Sequence, residues 1–174
     1  MMIRRMTRCA LFAAMLCLLA PLGFPLGAIP VSLSLFAVLL MALLLPMGDA
    51  LISVSVYLAL GCVGLPVFAG FQGGAGALLG VTGGFVFSYP LIVLCVGWLG
   101  KRITKRPRVG AYLGCIAGLA LCYASGVAWY MFAAASPSPG TALMVCVLPF
   151  LPWDILKVIA ACELAFLTRK CIKK

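Results

Sequence analysis

Six apolar stretches, nearly free of charge and separated by turn-forming residues, limit what this chain can fold into. They run from about Cys9 to Leu22, Pro30 to Leu45, Ala50 to Phe68, Val81 to Gly100, Val109 to Ala135 and Thr141 to Thr168. A helix crosses a bilayer with roughly 20 apolar residues, so each stretch is read as a transmembrane span. The breaks Pro21-Leu22-Gly23-Phe24-Pro25, Pro46-Met47-Gly48-Asp49, Gly70 to Gly80 and Ser136-Pro137-Ser138-Pro139-Gly140 carry turn chemistry. Hydrophobic residues make up 66% of the 174 and charged residues 9%, too little polar side chain to cover a soluble surface. The expectation is one all-α integral membrane domain over residues 1–174, with six transmembrane helices in a single bundle. The composition rules out an ordinary cytosolic enzyme. There is no histidine, so no imidazole can act as general base or metal ligand, and no nucleophile–base pair stands out.

The basic residues set the orientation. Arg4, Arg5 and Arg8 precede the first span; Lys101, Arg102, Lys105, Arg106 and Arg108 separate the fourth and fifth; Arg169, Lys170, Lys173 and Lys174 follow the sixth. Cytoplasmic segments carry the excess of Lys and Arg, so an even number of crossings must separate these groups, as four spans and then two do. Both termini are expected to be cytoplasmic, in a multi-pass protein of the cytoplasmic membrane. These charges suffice as solvated or lipid-headgroup anchors, and nucleic acid is not implied. The basic-then-apolar opening has the shape of a secretory signal. Cleavage would remove the first span, so an uncleaved first helix is expected. The nine cysteines form no metal-ligand spacing and read as small hydrophobes.

Lys157 is the one base outside those groups, and it stands three residues after Asp154 in Pro149-Phe150-Leu151-Pro152-Trp153-Asp154-Ile155-Leu156-Lys157. On a helix the two share a face. Each charge at mid-helix costs roughly 2.5–3.5 kcal/mol, so the pair either ties helices together as an internal ion pair or forms a polar hook in an apolar cavity. Pro149 and Pro152, which interrupt the helix beside it, favour the hook. Glu163 is expected to pair with Arg169 or Lys170, and Asp49 to cap the third helix at its free N–H groups. The glycine-rich run from Gly61 to Phe85 can fold back over the bundle, offering main-chain donors or packing closely; it lacks the ending of a nucleotide-binding P-loop. Small residues recur every fourth position at Ala10 and Ala14, and at Gly110, Gly114 and Gly118. Both stripes suit helix packing, and the first also suits docking of another membrane subunit.

Three segments carry a family resemblance: Leu58 to Gly70, Leu79 to Phe85, and Pro149 to Lys157. With G-L-P-V-F-A-G and the proline-preceded D-x-x-K as its specific parts, the chain resembles the BioY family, the biotin-capture components of energy-coupling-factor transporters. The family commonly has G-P-T-G-G-Y, P-V-T-L-Q and proline-glycine-aspartate where this chain has Gly80 to Phe85, Pro30 to Ser34 and Pro152-Trp153-Asp154. The resemblance implies an outward-opening cavity for biotin, capped by loops, with no cofactor. It also implies a partner module of two ATPase subunits and one transmembrane coupling subunit. Ala10 and Ala14 would dock on the coupling subunit, and the whole capture subunit would topple in the bilayer during transport. For such a ligand, Asp154 can accept from the ureido N–H groups, and Lys157 can meet either the ureido oxygen or the carboxylate. Gln72 offers donor and acceptor, Ser32, Thr82 and Tyr89 offer hydroxyls, and Phe68, Phe71, Phe85 and Trp153 offer rings. Two other readings stand beside it: capture of a different vitamin, and a structural membrane protein whose charged pair only locks helices.

Overall fold

A computed structural model describes residues 2–26, 29–103, 107–133 and 138–172. Lys105, Arg106, Ser136, Pro137, Lys173 and Lys174 lie outside the described residues. Helix α1 (Met2–Leu19) is followed by strands β1 (Gly23–Leu26) and β2 (Ile29–Ser32), then α2 (Ser34–Leu44) and α3 (Met47–Cys62). Next come a single 3-10 turn at Ala69–Phe71 and the short helices α4 (Ala75–Leu79) and α5 (Gly83–Phe87). The chain ends with α6 (Tyr89–Arg102), α7 (Pro107–Ala133), α8 (Pro139–Cys146) and α9 (Leu151–Ile172).

Helix α2 is apolar on every side, and its residues from Ala37 to Leu43 are all buried, as expected of a helix wrapped by others. It packs on α1, α3, α6 and α9. Proline ends it: Leu45 is extended, the conformation forced on a residue before proline, and Pro46 opens α3. The tightest pairing is α6 on α7. A β-carbon added at Gly118 would lie 3.1 Å from Ile92, and one at Gly114 3.2 Å from the Val96 backbone. The glycine stripe of α7 therefore packs inside the bundle, whereas Ala10 and Ala14 are exposed on α1. Large apolar side chains such as Leu18, Ile52, Leu94, Ile116 and Ile159 are also exposed, on a scale a water-soluble surface does not carry.

The spans differ in length from the sequence reading. Among the described residues, Gly83–Gly100 and Pro107–Ala133 are long and apolar enough to cross a membrane, and Gly140–Cys146 with Leu151–Lys170, bent by 49° at the break, makes a third if the pair is taken as one span. Helices α2 and α3 are apolar but shorter. Helix α1 begins before Cys9 and takes in Arg4, Arg5 and Arg8. The second stretch loses its start to an antiparallel hairpin, in which Gly23 faces Ser32 and Leu26 faces Ile29. That hairpin was not legible because Pro25 read as part of a break and Pro30 as the start of a span, yet a two-stranded ribbon has only edges, where proline is tolerated.

Two acids are placed differently from expectation. Asp49 lies in the first turn of α3, but its buried carboxylate accepts from Arg5 Nε and, at 3.3 Å, from Arg8 Nη2. It ties α3 to α1 rather than capping its own helix. Beside it, Ser53 Oγ donates to the carbonyls of Cys9 and Asp49, both at 3.0 Å. Glu163 accepts from Tyr112 Oη at 2.8 Å, because that hydroxyl on α7 reaches it from the neighbouring helix.

The Asp49→Asn variant is expected to lose about 1–2 kcal/mol of stability, read as a lower unfolding midpoint in detergent. Bonds to charged groups contribute about 1.5–3 kcal/mol, reduced here because both arginines are 54% exposed.

Candidate binding site

The sharpest constraint on the bundle is a carboxylate held inside it. The helix breaks at Val147–Phe150, where Pro149 cannot supply a backbone donor. Helix α9 restarts at Leu151, with Pro152 in the first turn, a position that tolerates proline. Asp154 then falls in that first turn, with its side chain 7% exposed, and Lys157 follows at 11%. Lys157 Nζ donates to Asp154 Oδ1 at 2.8 Å, and Tyr123 Oη, from α7, donates to Oδ2 at 2.7 Å. The ion pair lies within one helix, so it locks no neighbour; Tyr123 ties it to α7, as Tyr112 ties Glu163 further along.

These groups line a cavity of about 760 Å³, its open mouth included. Across it runs a chain of hydroxyls. Tyr89 Oη donates to Ser34 Oγ at 2.7 Å, and Ser34 Oγ is hydrogen-bonded to Ser32 Oγ. Tyr57 Oη donates to the Val67 carbonyl at 3.2 Å, and its ring meets Phe68 edge-on with centroids 5.6 Å apart. Phe85, Val86 and Phe150 supply apolar wall, and Gln72 and Thr82 stand in the lining contributed by the loops. The site thus combines a neutralised charge pair, hydroxyls and apolar surface in one lining, the make-up of a pocket for a small amphipathic molecule.

The glycine-rich run builds the rim. Gly70 N donates to the Pro21 carbonyl at 3.2 Å and Gly74 N to the Gly61 carbonyl at 2.7 Å, so the loop does fold back, with these donors used internally. Close packing explains other positions. A β-carbon on Gly126 would sit 2.3 Å from the Phe85 ring, and one on Gly84 2.2 Å from the Trp129 side chain. Trp129 Nε1 also donates to the Gly80 carbonyl at 2.9 Å, pinning the stretch that carries Thr82 and Phe85.

Of the residues singled out in the sequence, Asp154, Lys157, Gln72, Thr82, Phe85, Tyr89, Ser32 and Phe68 come together in the lining. Phe71 and Trp153 do not. Trp153 is 51% exposed because it lies about 100° around α9 from Asp154. Phe71 is 65% exposed at the end of its turn. Sequence reasoning missed Ser34, Tyr57, Cys122, Tyr123 and Phe150. Phe150 stands in a segment that carries the family resemblance and Ser34 in one where the chain departs from the family pattern, whereas nothing in the sequence singled out Tyr57, Cys122 or Tyr123.

The model of the BioY family matches residues 1–174. The chain belongs to the BioY family. It is 34% identical to the biotin transporter BioY of Thermotoga maritima, covering 96% of each chain, and 34% identical to the probable biotin transporter BioY of Pyrococcus horikoshii, covering 90% of each. The S-component for biotin from an ECF-type ABC transporter superposes with a TM-score of 0.89 at 27% identity, covering 97% of this chain and 92% of that one. These BioY relatives are transporters, not enzymes.

The Tyr123→Phe variant is expected to leave the buried Asp154 carboxylate with one donor fewer. A loss of about 2 kcal/mol follows from the usual contribution of a bond to a charged group, measured by thermal unfolding of the unliganded protein.

Proposed function

We propose that this chain captures biotin in the cavity beside Asp154 and Lys157, as the substrate-specific component of an energy-coupling-factor transporter in the cytoplasmic membrane. The observation that carries this reading is the pair itself, nearly buried in an apolar bundle yet facing open volume. Biotin has a flat ureido head with two N–H donors and one carbonyl, an apolar thioether ring and a carboxylate tail. Each carboxylate oxygen has two acceptor sites, so Asp154 can accept from the ureido N–H groups while Lys157 and Tyr123 remain bonded to it. Lys157 then offers its other N–H groups to the ureido oxygen or to the tail carboxylate. The hydroxyls of Ser32, Thr82 and Tyr89 and the amide of Gln72 bond whichever polar end faces them, and Phe68 and Phe85 pack on the rings. The protein performs no chemistry on the ligand.

The basic groups support six crossings with both ends in the cytoplasm. Arg5, at the start of the first helix, and Arg169, near the end of the last, stand at the end of the bundle opposite Asp154, since each contacts the start of α3 or the end of α2. The exposed Ala10 and Ala14 form a small-residue face on which the transmembrane coupling subunit of an ATPase module docks.

Titration of detergent-solubilised protein with biotin tests the site. Asp154→Asn and Lys157→Ala should each weaken binding at least tenfold, about 1.4 kcal/mol; parent-like binding by both would discard the assignment. Bonding that merely locks helices would instead lower the unfolding temperature and leave affinity intact. Strongest stabilisation by another vitamin in a ligand panel would replace biotin as the substrate. Ala14→Trp is expected to abolish copurification with the coupling subunit while leaving biotin affinity unchanged.

A further inference from the structure

At the opposite end of the bundle lies a second cavity, about 650 Å³ with its open mouth included. The end of α2, the starts of α3 and α7, the end of α6 and the last turns of α9 meet there. Its walls are apolar, including Leu43, Leu45, Met47 and Val96, and among the described residues Arg169 is its one charged lining residue. The guanidinium of Arg169 donates to the Leu43 carbonyl at the end of α2, which holds the fork over the cavity. Arginine has five N–H donors, and among the described residues no carboxylate serves this one. The chain's three acids are engaged elsewhere: Asp49 by Arg5 and Arg8, Asp154 by Lys157 and Tyr123, and Glu163 by Tyr112.

Depth and composition identify what such a seat takes. Trp98 lies between Gly97 and Gly100 of the lining, is 54% exposed, and carries Arg102 4.2 Å above its ring. An exposed tryptophan beside an arginine marks the headgroup level of a bilayer. An arginine fork matches a phosphate in geometry and charge, and apolar walls next to it suit a glycerol backbone and the first methylenes of a chain. We infer that this cavity binds an anionic phospholipid, with its phosphate on Arg169. Mobile inorganic phosphate shares the headgroup chemistry but gains nothing from the apolar wall.

Two variants test this. Arg169→Gln removes the charge, and Gly100→Leu fills the cavity where an added β-carbon meets nothing within 4 Å; neither touches the Asp154 site. Thermal unfolding in detergent would be compared with phosphatidylglycerol, phosphatidylcholine or inorganic phosphate added, and native mass spectrometry would count retained lipid. Phosphatidylglycerol is expected to raise the parent's unfolding midpoint by several degrees more than phosphatidylcholine, with the difference lost in both variants. Gly100→Leu decides alone if Arg169→Gln does not fold. An undiminished difference in Gly100→Leu, equal shifts from both lipids, or a shift from inorganic phosphate alone would overturn the proposal.

Discussion

A carboxylate can sit inside an apolar bundle only if its hydrogen-bonding capacity is met, and the arrangement around Asp154 follows from that demand. Lys157 cancels the charge from one turn further along the same helix, and Tyr123 completes the coordination from α7. Because the cancellation is internal to α9, the pair needs no second helix to hold it and can line an open cavity. Among the described residues, no buried side-chain nitrogen or oxygen lacks a partner. In a bilayer that satisfaction is a condition of existence rather than a refinement.

The break between α8 and α9 belongs to the same logic. Proline at 149 ends one helical segment, and the restart at Leu151 places Asp154 in the first turn of the new helix, where the helix dipole favours an anion. A continuous helix would have put the same residue mid-span, without that gain. Around the cavity, glycine is the means of closing the structure: Phe85 lies over Gly126 and Trp129 over Gly84 at distances no side chain there would allow.

Charge divides the molecule along its axis. One end holds the Arg5–Arg8–Asp49 cluster and Arg169; the other holds the hydroxyls, the loops and the neutralised pair. Positive charge gathers at one end, while its scarcity at the other leaves a cavity whose polarity comes from the Asp154–Lys157 pair and the hydroxyls.

Several features were legible from residues alone. Apolar runs bounded by proline and glycine marked out a mostly helical chain, and the D-x-x-K spacing fixed the polar face of α9, because helical periodicity relates neighbours in sequence. What escaped was what other elements bring. Tyr123 stands five residues after Gly118 on a helix that reads as pure packing, and only the crossing of α7 and α9 sets its hydroxyl on Asp154. The hairpin hid behind its prolines, and Asp49 read as a cap until α1 brought two arginines beside it. Trp153 shows the converse: adjacent to the key residue in sequence, it is turned away by the helix itself. Sequence determined which residues must leave water and which faces they share, since hydropathy and helical pitch are local. The partners that satisfy each buried polar group were decided by tertiary packing, because those contacts join residues dozens of positions apart.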